Sequence, residues 1–113
     1  MSTLSHEEMT LRQRVLAGGL FLTVLRGDEW WNQINLDRLD LDSLFDCILG
    51  QLYTSFGDGV ERFDLTEGDT YAFGFNLYIP SGYSSTLAAI EFEALTEEWK
   101  ELIRALRSDV SES

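Results

Sequence analysis

At 113 residues the chain has room for one domain, and with 44% hydrophobic and 12% aromatic residues its composition is that of a folded protein rather than a disordered one. Twenty acids against eight bases give a formal net charge of −12. Charge of that size and sign repels nucleic acid and anionic membrane, and it excludes direct binding to either. Residues 31–80 hold nine of the acids and only two bases, so a basic partner is drawn to the middle of the chain. The ends, Met1–Leu4 and Ser108–Ser113, are small or polar and are expected to fray.

Ser5-His6-Glu7-Glu8 has the spacing of a capping box and predicts a helix from Ser5 to Arg26, stopped by Gly27. Its apolar residues fall in two stripes: Leu11, Val15, Leu22 and Leu25 in one, Leu16, Leu20 and Val24 in the other. Two apolar faces predict a helix buried between neighbours. Gly18-Gly19 in its middle costs about 1 kcal/mol per glycine relative to alanine, which points to a close backbone crossing or a kink. The apolar run Val15–Leu25 is half the length of a membrane span. Glu7 and Glu8 precede it and no A-x-A site follows, so it reads as a core helix rather than a signal peptide. With the single cysteine, Cys47, that gives a protein expected in a reducing cytosol without internal disulfides.

Residues 28–42 read as an irregular connector. Trp30, Trp31, Ile34, Leu36, Leu39 and Leu41 are placed to pin it to the core, with Asp37, Asp40 and Asp42 between them. Asp42 or Ser43 can cap a second helix whose stripe is Leu44, Phe45, Ile48, Leu49, Leu52, Tyr53 and Phe56, ended by Gly57-Asp58-Gly59. Residues 60–79 are open to two readings. Alternation from Tyr71 to Ile79 suits a strand, whereas Thr66-Glu67-Gly68-Asp69 suits the start of a short helix that stops at Gly74. Pro80-Ser81-Gly82 is a clear break. Thr96 is placed to cap a last helix striped by Leu95, Trp99, Leu102, Ile103 and Leu106, and residues 87–93 either extend that helix backwards or form a strand. Its Glu97–Glu101 and Lys100–Arg104 pairs repel, so this helix depends on packing. The expected fold is therefore mainly α, a small single-domain helical bundle spanning 1–113 with a Trp-rich connector. The alternative is α+β, with a short hairpin around 71–79 and 87–93.

No pattern compels catalysis. His6, the one histidine, stands near the terminus, and Cys47 has no second histidine to activate it. The run Asp37, Asp40, Asp42, Asp46 lacks the fixed glycine and closing glutamate of an EF-hand. No catalytic residue, metal site or cofactor is expected. Trp30, Trp31, Tyr71, Tyr78 and Tyr83 exceed what a small core needs. Trp30 and Trp31, with Asp37, Asp40 and Asp42, form the candidate partner-binding surface, because tryptophan and tyrosine concentrate at protein interfaces.

The stretch Trp31–Leu41, containing Ile34-Asn35-Leu36-Asp37 and Leu39-Asp40, is followed by Cys47-Ile48-Leu49-Gly50-Gln51-Leu52-Tyr53. It resembles the W-x-x-x-I-[ND]-L-D-x-L-D … C-[VI]-L-G-Q-[LT]-[YF] segment of small proteins from actinobacterial phages and their hosts. Gly74-Phe75 and the Leu95-Thr96-Glu97-Glu98-Trp99-Lys100 helix resemble later features of the same proteins. The resemblance implies a phage or prophage origin and favours a helix over residues 67–73. It implies no particular activity. Many of those proteins carry a second cysteine two or three places before position 47, where this chain has Leu44 and Phe45, which removes a C-x-x-C site. Three functions remain in view. The first is a non-enzymatic factor that binds a protein in the bacterial cytosol. The second is an acidic mimic of nucleic acid that inhibits a DNA- or RNA-binding protein. The third is a metal-binding or enzymatic domain built on Asp37–Asp46.

Overall fold

A computed structural model describes residues 10–27, 29–77 and 82–112, with side chains to Ser108. Among these residues there are five α-helices and one 3₁₀ turn, and no strand. The helices are α1 (Leu11–Arg26), α2 (Ile48–Leu52), α3 (Phe56–Phe63), α4 (Glu67–Ala72) and α5 (Ser85–Glu112), with the 3₁₀ turn at Trp30–Gln33 between α1 and α2. The protein is a mainly α bundle around one contiguous core, and the α+β alternative is overturned. Residues 85–112 are one continuous helix, and Thr66 and Asp69 form a reciprocal capping box that commits the chain to α4. Tyr78 and Ile79 lie outside the described residues.

The first helix starts later than Ser5. Thr10 is its cap: the Thr10 hydroxyl accepts from the Gln13 N–H at 3.1 Å, and the Gln13 side chain accepts from the Thr10 N–H at 2.8 Å. Ser5–Glu8, with His6, lie outside the described residues. Gly27 ends the helix with φ +96°, a conformation open to glycine. The glycine pair makes the crossing that its cost suggests. A Cβ on Gly18 would collide with the Phe73 carbonyl, and one on Gly19 would come within 2.7 Å of Leu102. Because the backbone of α1 is drawn in on that side, Val15 and Leu22 are fully buried. The second stripe, Leu16, Leu20 and Val24, faces water, so α1 is covered on one side only.

The second helix also differs from expectation. A single helix over 44–56 is replaced by a turn at 44–46, the short α2, and α3. Between the helices the Ser55 N–H donates to the Tyr53 carbonyl at 2.6 Å and Thr54 takes φ +74°, the signature of a γ-turn. Ser55 then caps α3 by accepting from Asp58, so Gly57-Asp58-Gly59 open a helix where they were expected to close one. Gly59 is needed there for packing, since a Cβ would come within 2.9 Å of the Leu49 side chain.

Trp99 of α5 anchors the core. Its indole N–H donates to the Gly74 carbonyl at 2.7 Å, its ring stacks on Phe75 at 5.6 Å, and Trp30 meets it edge-on at 6.0 Å. Thr96 is not a cap, because α5 begins at Ser85. Instead its hydroxyl donates to the Phe92 carbonyl and accepts from the Leu41 N–H at 3.0 Å, which ties the connector to the middle of α5.

Candidate functional site

The connector splits the candidate surface in two. Trp30 and Trp31 are buried, so they leave the surface and join the core. Trp30 donates to the Thr23 hydroxyl at 3.0 Å, and Arg107 of α5 donates to the carbonyls of Trp31 (2.8 Å) and Ile34 (2.6 Å). With its indole N–H and backbone carbonyls satisfied inside, the segment can bury both rings. Asp37, Asp40 and Asp42 are exposed, as expected. Of the tyrosines, Tyr71 lies beneath the Arg14 guanidinium at 4.1 Å, Tyr83 bonds Glu91, and Tyr78 is outside the described residues.

Sequence reasoning missed the two residues that the turn after the connector presents. Leu44 and Phe45, assigned to a helical stripe, are 61% and 63% exposed. A polar network holds them out. The Ser43 hydroxyl accepts from the N–H groups of Phe45 (3.2 Å) and Asp46 (3.0 Å). Asp40 accepts from the Asp42 N–H through its carboxylate and from the Ser43 N–H through its carbonyl, and its own N–H donates to the Asp46 carbonyl. Arg38 bridges to Asp46 at 2.7 Å. Below the turn, the Leu44 carbonyl accepts from the Phe56 N–H at 2.7 Å. Gly50 lies flat against it, where a Cβ would come within 2.6–2.7 Å of the Leu44 and Phe45 carbonyls. With its polar backbone fixed on the inner side, the turn aims two apolar side chains outward. Cys47-Ile48-Leu49-Gly50 carries a signal for this, since a glycine in the middle of so short a helix marks a close approach.

The chemistry available here is that of a contact surface. Asp37, Asp40 and Asp42 stand on the segment that displays Leu44 and Phe45, and they supply unpaired negative charge beside an apolar pair. Among the described residues no group of three or more His, Cys, Asp or Glu is arranged to hold a metal ion. Cys47 is buried and caps α2, its sulfur accepting from the Gly50 N–H at 3.3 Å. Burial pushes its thiol above the ordinary range, away from the thiolate a nucleophile needs. The hydrogen bond to Glu91 likewise raises Tyr83. Arg14 is buried with two guanidinium nitrogens lacking an acceptor, and its cation–π contact with Tyr71 offsets part of that cost. A groove of about 230 Å³ between α1 and α5 is bordered by Arg12, Leu16, Glu98, Glu101, Leu102 and Ala105. Its polar groups already pair, Arg12 with Glu98 at 3.4 Å and with Glu101 at 3.7 Å.

Among the described residues no helix is long and apolar enough to cross a membrane. Comparison of the chain with protein-family models, with curated proteins and with solved structures finds no match.

Proposed function

We propose that this protein is a non-enzymatic binding factor, of the small phage-encoded type, that acts on a protein in the bacterial cytosol. One observation carries the reading: the hydrogen-bonded turn that displays Leu44 and Phe45 on the segment bearing Asp37, Asp40 and Asp42. An apolar anchor beside charge of one sign is the common anatomy of a hot spot and its rim. The sign selects a basic partner. The apolar pair supplies affinity and the aspartates supply orientation and association rate.

The test is capture from host lysate by the tagged chain and by its Phe45→Asp variant, at low and moderate salt. One stoichiometric protein retained by the wild type and lost by the variant supports the reading. Equal retention by both, or no retained protein, overturns it. An acidic mimic of nucleic acid makes a different prediction: capture independent of Phe45 and abolished by moderate salt alone.

A further inference from the structure

We draw no further inference here: the strongest candidate, the Arg14 side chain of α1, buried against the Tyr71 ring of α4 with its Nε and Nη1 lacking an acceptor among the described residues, carries nothing because those two nitrogens are sealed from solvent and nothing in the structure shows a ligand that reaches them.

Discussion

Trp30-Trp31, read as a candidate partner-binding surface, and Leu44-Phe45, read as part of a helical stripe, exchange the places expected of them. Each is a pair of large apolar residues in an irregular, acid-rich stretch. The tryptophans are buried and the Leu–Phe pair is exposed. Hydropathy does not separate them, since either pair gains from burial. Backbone capture does. Around the tryptophans, the carbonyls of Trp31 and Ile34 are taken by Arg107 from α5, which draws that segment inward. Around Leu44 and Phe45, the Ser43 hydroxyl, the Phe56 N–H and the flat surface of Gly50 hold the backbone inside, so the side chains point out. Once buried polar groups must be paired, the partner of the main chain decides which way a side chain points.

The comparison breaks most severely at Trp30. Trp30→Ala removes a ring held between Thr23 and Trp99 and should cost about 3–5 kcal/mol, measured by urea unfolding. That approaches the whole stability of a small domain, so the variant is expected to be largely unfolded at physiological temperature. Next comes Arg107→Ala. Leaving the carbonyls of Trp31 and Ile34 without their donor should cost about 1.5–3 kcal/mol. If backbone capture orients the connector, tryptophan fluorescence should also shift to the red as Trp31 gains water. A stability loss without that shift would mean the rings stay buried through their own packing.

Several of these features were legible in the sequence because they are local. Gly27 stops α1 within one turn of chain, and Thr66 with Asp69, one of two readings open for residues 60–79, starts α4 in the same local way. The cost of Gly18-Gly19 announced a close crossing or a kink, though not that Phe73 and Leu102 would make the crossing. The exposure of Asp37, Asp40 and Asp42 was legible too. The exposure of Leu44 and Phe45 was not. The run from Leu44 to Phe56 has helical spacing, and nothing local announces the γ-turn at Thr54, because a β-branched residue takes positive φ only when its surroundings impose it. Thr96 misled for a related reason. It is a good cap by residue type, but it lies 11 residues inside α5, where its hydroxyl serves the connector. An apolar stripe likewise shows that a face can be buried, not that another element will reach it, and the second stripe of α1 stays in water.

Cys47 joins the exposed turn to α2 and gives a smaller, pH-dependent effect. Its thiol titrates higher in the folded chain than the ordinary 9.0, with burial as the main cause. The folded state therefore holds its proton where the unfolded state has released it. The resulting stability is fully present below the unfolded value and is lost as pH rises through the folded one. The wild type should lose stability between neutral pH and strongly alkaline pH, and Cys47→Ala should lose less over the same interval, as read from denaturant midpoints. At neutral pH the variant is less stable by about 1 kcal/mol, since the Gly50 N–H loses its acceptor. Tyr83 shifts in the same direction, but it is present in both chains and cancels in the difference.

The smallest effect on stability is expected where the proposed effect on function is largest. Phe45 is 63% exposed, and what holds its turn together is backbone and Ser43, none of which involves the ring. Phe45→Asp should therefore change unfolding free energy by no more than about 0.5 kcal/mol, the usual range for an exposed position. Residues without a structural duty are free to serve another one, and a ring held in water by a fixed turn has no folding reason to be there. Trp30→Ala damages fold and binding together and cannot separate the two. Phe45→Asp can, because unchanged melting with lost capture assigns the ring to the partner. A fall in stability comparable to that of Arg107→Ala would instead make the Leu44–Phe45 turn part of the core, and the two connector regions would then differ only in degree.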